Sequence, residues 1–295
     1  MRRALIALAA LGVVVLGAGV WVTGPNALPA GSLEELDGDP EAGERVFWAA
    51  GCASCHSAPG AEDDARLVLA GGQRFPSEFG TFLAPNISMD SQRGIGAWDA
   101  ADFANAVQRG ISPEGAHYYP AFPYTAYALA RPQDIADLWA FWQTLPADAT
   151  PSLPHELGFP FNIRRAIGVW KALYLPEDWA VAVEGTTLER GRYLSEALGH
   201  CAECHTPRDA LGGLDRSRWL AGAPNPSGDG RIPNITPAAL DWSVDEIAAY
   251  LADGFTPEFD SAGGHMVSVI RNLAYLSDDD RRAIAAYLTA VPPVE

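Results

Sequence analysis

Cys52, Cys55 and His56 stand in the run CASCH, and Cys201, Cys204 and His205 stand in CAECH; together the two runs use all four cysteines of the chain. Two thiols at this spacing can add to the vinyl groups of a haem, and the imidazole that follows them is then placed beneath the iron. The pattern occurs twice and leaves no cysteine for a disulfide, which makes accident a poor explanation. Zinc ribbons separate their cysteine pairs by roughly 15 to 20 residues, whereas about 145 lie between these. A thioredoxin-like dithiol would need a βαβ unit around it, and neither flank has that pattern. The motifs imply two covalently bound haem c groups, attached at Cys52, Cys55, Cys201 and Cys204, with His56 and His205 as iron ligands.

A thioether in the sixth coordination position favours reduced iron and raises its potential. Met266, in GGHM about 60 residues after the second motif, is the natural donor, and Met1 and Met89 are the only other methionines.

The elements that must hold these groups follow from length and repetition. A chain of 295 residues suits two domains of roughly 100 to 130 residues. Self-comparison divides it accordingly. GERVFWAAGCASCH (43–56) parallels GRYLSEALGHCAECH (191–205), LAGG (69–72) parallels LAGA (220–223), and APNIS (84–88) parallels IPNIT (232–236). Trp98 and Trp242 each open a short helical pattern that closes on Gly, and GAHYYPAF (115–122) lies opposite GGHMVSVI (263–270). Each copy ends on an amphipathic helix, RPQDIADLWAFWQTL or SDDDRRAIAAYLTAV. Each copy therefore reads as a helix entering the motif, a long loop, a short helix, another loop and a final helix, with no strand-like alternation.

The organisation expected is an N-terminal segment over 1–24, a tether over 25–38, one domain over 39–148, a Pro-rich connector with a basic amphipathic helix over 149–185, and a second domain over 186–295. The connector helix, with Arg164, Arg165 and Lys171, is expected to pack between domains; a membrane-surface role is its alternative.

Ala4 to Val22 is uncharged and follows Met1, Arg2 and Arg3. It has the length of a membrane span and exceeds a normal signal-peptide core, and ALPA (27–30) is a weak cleavage match. An uncleaved transmembrane helix is therefore expected, with a removed signal as the alternative. In either case the arginines stay cytoplasmic and the rest is exported. In a bacterium this places the protein at the inner membrane with its haem domains in the periplasm.

The formal charge of -17 argues against nucleic acid and favours a basic partner face. The 29 Gly and 23 Pro imply much loop, beside a hydrophobic fraction of 48%. That mixture fits loops wrapped round a large apolar cofactor.

The two haem motifs, with APNIS, IPNIT, GIGAWDADFANAVQRG, HYYPAFPY and GGHMVSVI, resemble the membrane-bound multihaem cytochrome c subunits of bacterial alcohol, aldehyde and gluconate dehydrogenases and related dihaem cytochromes. The resemblance covers nearly the whole chain after Gly38. It implies an all-α fold of two tandem class I cytochrome c domains. It also implies an electron carrier between a dehydrogenase or quinol-side donor and a respiratory acceptor such as a cytochrome or an oxidase. The family usually carries three haems, and this chain has motifs for two.

Where the family reads HLYPAMPY, with Met as ligand, this chain has Phe122 in place of that Met. Three readings follow for the first haem: His117 completes a bis-His site, Met89 reaches in from its loop, or the position is open. An open position would suit a dihaem enzyme, a peroxidase or a small-sulfur-compound oxidoreductase, as the alternative function. By the same resemblance Asn86, Trp98, Asn234 and Trp242 could bond haem propionates, and Arg74 could pair with one.

Overall fold

Asp99 and Ser243 begin equivalent helices in the same way. Each side chain accepts from the backbone N–H three residues on, and Asp102 or Glu246 reaches back to the cap in return. This reciprocal capping box satisfies donors that a helix start leaves unpaired. The computed structural model describes residues 2–29, 31–226, 228 and 230–295, leaving aside the side chains of residues 4, 7–9, 15 and 16. Among the described residues the helices are α1 (Arg2–Val22), α2 (Pro40–Ala49), α3 (Cys52–His56), α4 (Ala100–Ala104), α5 (Tyr124–Tyr127), α6 (Pro132–Trp142), α7 (Ile167–Tyr174), α8 (Thr186–Arg192), α9 (Ala202–His205), α10 (Val244–Asp253), α11 (Met266–Leu273) and α12 (Asp278–Ala290).

In each domain the first long helix crosses the last, α2 on α6 and α8 on α12, and the crossing explains a shared glycine. A Cβ at Gly43 would sit 2.0 Å from the Asp137 carbonyl oxygen, and one at Gly191 would sit 1.9 Å from that of Ala283. Only glycine permits backbones to approach this closely. The crossings are packed with Phe47, Phe141 and Trp142 in the first domain and with Leu194, Ile284 and Tyr287 in the second.

The second approach to its haem motif is one residue longer than the first, and the helix absorbs the extra residue as a π-helical stretch, Tyr193–Leu198, after α8. Such bulges accommodate a single insertion within a helix. His200, next to the motif, then takes φ 41°.

Two expectations are corrected. The all-α expectation misses five short strands. β1 (Arg74–Ser77), β2 (Gly80–Leu83) and β3 (Glu156–Leu157) form an antiparallel sheet in the order β1-β2-β3, and β4 (Ala223–Pro224) pairs with β5 (Arg231–Ile232). They are too short for an alternating pattern to show in the sequence, and β3 comes from the connector. Gly80, at φ 124°, supplies the turn between β1 and β2.

The second correction is the expected transmembrane helix. Helix α1 forms, but among the described residues no helix is long and apolar enough to cross a membrane. At its C-terminal end the segment docks on the folded part. Thr23 offers its hydroxyl to Arg165 Nε at 2.9 Å, and Arg165 also donates to the Val20 carbonyl at 3.1 Å.

Candidate haem sites

Each Cys-x-x-Cys-His run coils into a single helical turn, α3 or α9, so that two thiols and an imidazole project from one short rigid element. His56 Nδ1 lies 3.0 Å from the Pro85 carbonyl oxygen, and His205 Nδ1 lies 2.8 Å from that of Pro233. A carbonyl only accepts, so Nδ1 carries the proton and Nε2 keeps its lone pair for a metal. Gly71 N–H and Gly222 N–H close the loop behind each imidazole by donating to the His56 and His205 carbonyls, both at 2.7 Å. Burial holds His56 down at about 4 and depresses His205. Both rings are thus neutral at physiological pH, as a ligand must be.

Burial pushes Cys52 and Cys201 up to about 12 and Cys55 up to about 11, and it raises Cys204 as well. Buried neutral thiols beside a neutral imidazole suit thioether attachment of an apolar macrocycle. No cluster of three metal-binding side chains occurs among the described residues. The residues fit haem at both places.

Pro85 and Pro233 were legible as repeats, in APN and IPN, but not as partners of the imidazoles. The neighbouring asparagines serve the fold. Asn86 donates to the Asp148 and Thr150 carbonyls, both at 2.8 Å, and accepts from Ser88 N–H. Asn234 donates to the Val294 carbonyl at 2.7 Å and accepts from Thr236 N–H. Each clamps the proline loop to the chain leaving the final helix, and both amide hydrogens of Asn86 are committed there. Arg74 pairs with Glu156 at 2.5 Å across the sheet, both side chains being half exposed. Trp98 packs half-buried on the core, and Trp242 meets Tyr250 edge-on at 5.2 Å.

On the opposite side of each site the structure corrects the sequence register. Gly110 (φ 59°) and Gly254 (φ 81°) end equivalent helical stretches. Ile111 bridges His117 as Phe255 bridges Ser261. Tyr118 N–H donates to the Gly110 carbonyl at 2.7 Å, as Ala262 N–H does to that of Gly254 at 2.8 Å. One offset of 144 residues relates all these pairs and also carries Phe122 onto Met266. His117 therefore corresponds to Ser261 and not to His265.

His117 is also engaged elsewhere in the fold. It is buried, its Nε2 lies 3.0 Å from the Thr23 carbonyl oxygen, and its Nδ1 lies 3.2 Å from the ammonium of Lys171. Lys171, itself buried, donates to the Arg109 and Gly110 carbonyls at 2.5 and 2.7 Å. The ring locks the connector and the end of the N-terminal segment onto the first domain. Met266 opens α11, half-buried against the core, and Met89 is half-buried in the loop after Pro85. Met1 lies outside the described residues.

The two sites meet. Asn272 of α11 donates to the Ser54 hydroxyl at 2.7 Å, and that hydroxyl lies 3.3 Å from the Ser268 carbonyl oxygen. Reciprocally, Thr125 of α5 donates to the Glu203 carboxylate at 2.7 Å. Ser54 and Glu203 occupy the same place in CASCH and CAECH, so each motif rests on the other domain's far helix. Tyr127 donates to the Ala50 carbonyl at 2.6 Å and meets His200 edge-on at 5.7 Å. Cys204 adds to the upward push on Cys55. Two cofactors attached here are neighbours.

The sequence pattern of the cytochrome c family matches residues 40–146 and again 188–292. A dihaem cytochrome c-type protein of Cereibacter sphaeroides is 56% identical over the whole of both chains. The cytochrome subunit of fructose dehydrogenase from Gluconobacter japonicus is 38% identical over 85% of this chain and 52% of its own. The cytochrome c subunit of gluconate 2-dehydrogenase from Pantoea cypripedii is 33% identical over 84% of this chain and 58% of its own. The chain thus spans the full length of the first relative and little more than half of the dehydrogenase subunits.

Proposed function

Since this chain belongs to the cytochrome c family and is an electron-transfer protein with two covalently bound haem c groups, we propose that it takes electrons from a dehydrogenase of sugars, sugar acids or alcohols and passes them to a respiratory acceptor. The observation that carries this reading is the reciprocal packing of the two motifs, Ser54 on Asn272 and Thr125 on Glu203. It holds the two haem sites side by side. Similarity to cytochrome subunits of fructose, gluconate and alcohol dehydrogenases supports the donor class.

In this reading Cys52, Cys55, Cys201 and Cys204 form the thioethers, His56 and His205 ligate iron through Nε2, and Met266 completes the second site. The haem supplies reversible one-electron chemistry at iron. The protein fixes the imidazoles through Pro85 and Pro233 and sets the spacing between the sites. The chain works in an exported compartment, the periplasm of a bacterium, where haem is joined to thiols. Its net charge of -17 selects a partner with a basic face.

The test is stopped-flow reduction of the full-length holoprotein by purified fructose, gluconate and alcohol dehydrogenases, each with its substrate. At least one should reduce both haems, at a rate that falls as salt rises. A protein reducible by dithionite but by none of the three would defeat the proposed donor class. A rate indifferent to salt would defeat the basic docking face.

A further inference from the structure

The two domains share a backbone and differ at the residue opposite the imidazole. The constant offset places Phe122 where the second domain has Met266. A benzyl side chain has no lone pair for iron. The neighbouring imidazole cannot substitute, because the ring of His117 spans Thr23 and Lys171 with both nitrogens. Met89 lies on the wrong side. Its loop follows Pro85, whose carbonyl is bound to the proximal imidazole His56, and Asn86 and Ser88 tie that loop to Asp148.

What surrounds Phe122 is aromatic. Tyr118 lies 6.2 Å away edge-on, Tyr124 lies 6.2 Å away and Tyr127 lies 5.9 Å away. Tyr127 is held by its bond to the Ala50 carbonyl. Tyr124 is fully buried, with its ring closing on Gly110. These rings are fixed by the fold, so the pocket wall is rigid and largely apolar. The polarity and steric access of the distal pocket decide whether a haem binds an external ligand or only transfers electrons.

We propose that the first haem has no side-chain ligand on the Phe122 face and is a binding site for small neutral diatomic molecules of the carbon monoxide and nitric oxide class. The proposal rests on the assignment of the chain as a dihaem cytochrome c, with Met266 ligating the second iron. The aromatic wall favours an uncharged ligand, since burying an anion against largely apolar rings is costly, and the buried, unpartnered Tyr124 hydroxyl is a single neutral donor that suits a weakly polar diatomic. Such a ligand holds the first iron in its reduced form and so slows the passage of electrons to the second site. The two haems then differ in kind: one conducts, and one conducts unless a diatomic is bound.

The experiment uses the full-length holoprotein and carbon monoxide as probe. Haem content is first measured from the alkaline pyridine spectrum, where anything other than two haems per chain sinks the underlying assignment independently of the proposal. With two haems present, the oxidised wild type should show one high-spin and one low-spin signal by electron paramagnetic resonance. Carbon monoxide should then titrate half of the reduced haem. Phe122→Met should make both haems low-spin and abolish carbon monoxide binding. It should also double the intensity of the thioether-to-iron charge-transfer band. Met266→Phe should do the reverse and let both haems bind the gas. Two low-spin haems and no gas binding in the wild type would overturn the proposal. So would a Phe122→Met protein that binds carbon monoxide as the wild type does.

Discussion

The helix entering each haem motif is built on the same glycine, yet the residue five positions beyond it does opposite work in the two domains. In the first it is Trp48, buried and stacked on Tyr275 of the second domain with ring centroids 4.0 Å apart and planes 6° apart. Arg66 lies 4.8 Å over the same ring and donates to Asn272. In the second domain the position is Glu196, buried, accepting from Ala180 N–H at 2.7 Å, Val181 N–H at 3.2 Å and the Tyr287 hydroxyl. Trp48 joins the domains, whereas Glu196 fastens the connector to its own domain. A duplicated fold has kept the frame that presents a haem and reassigned the surface that the frame leaves over.

The sharpest way to break this contrast is to remove both residues in turn. Trp48→Ala should destabilise the first domain by about 3 to 5 kcal/mol, the usual cost of deleting a large buried aromatic side chain, and should loosen its contact with the second domain. The calorimetric transition of the first domain should fall well below that of the second. Glu196→Ala strands two backbone donors and a phenol, each worth about 1 to 3 kcal/mol when buried without a partner. Its effect should stay in the second domain, so that haem 1 keeps its melting temperature. A shared shift in both variants would mean that the two positions are not specialised.

Next in size is the feature that the domains have in common. Gly43→Ala and Gly191→Ala each force a methyl group into a carbonyl about 2 Å away, and overpacking of this kind costs about 1 to 3 kcal/mol. The two losses should be equal within error, each confined to its own domain and read from the Soret band during urea unfolding. Unequal losses would show that one crossing can relax and the other cannot.

Much of this was open to sequence reading, and the reason is periodicity. The motifs, the capped helices at Asp99 and Ser243 and the crossing helices all recur, so each copy vouched for the other. What escaped lacked a repeat or a pattern. β3 is two residues contributed by the connector, and no local sequence signal announces so short a strand. His117 looked like a ligand because it stands in the right loop. Only the fold brings Thr23 and Lys171 to its two nitrogens, from residues 94 and 54 positions away. The register beside it slipped for a related reason. GAH and GGH align by letter, while the hydrogen-bond pattern aligns Phe122 with Met266. Asn86 and Asn234 were seen as a pair, but their partners Asp148 and Val294 sit in stretches that share no motif.

A smaller effect separates the domains by pH. Burial raises Glu196 above its ordinary value of 4.5 in spite of its hydrogen bonds. The folded second domain therefore holds this proton more tightly than the unfolded chain does. The stabilisation is complete below the ordinary carboxyl range and is lost as pH rises through the raised folded value. Glu196→Gln should flatten the stability of the second domain over that window. The first domain, with Trp48 at the same position, should be unaffected by this change. Urea unfolding at a series of pH values between 4 and 8 reads both at once, and an unchanged slope in Glu196→Gln would remove this carboxyl as the source.

The smallest expected effect concerns Arg74, which pairs with Glu156 on the open face of the β1-β2-β3 sheet. Exposed pairs of this kind contribute little because solvent screens them and ordering two long side chains has an entropic cost. Arg74→Ala should leave the melting curve unchanged. Haem potential is the more searching readout, because an arginine that met a propionate would stabilise the oxidised-state charge balance far less than a neutral residue would, and its loss would lower the potential of haem 1. The observed pairing with Glu156 leaves that potential where it is. A drop in Arg74→Ala that is absent in Glu156→Gln would show that the guanidinium leaves its carboxylate for the haem in the holoprotein, and would make the first site electrostatically unlike the second, where Asn225 follows the corresponding LAGA run.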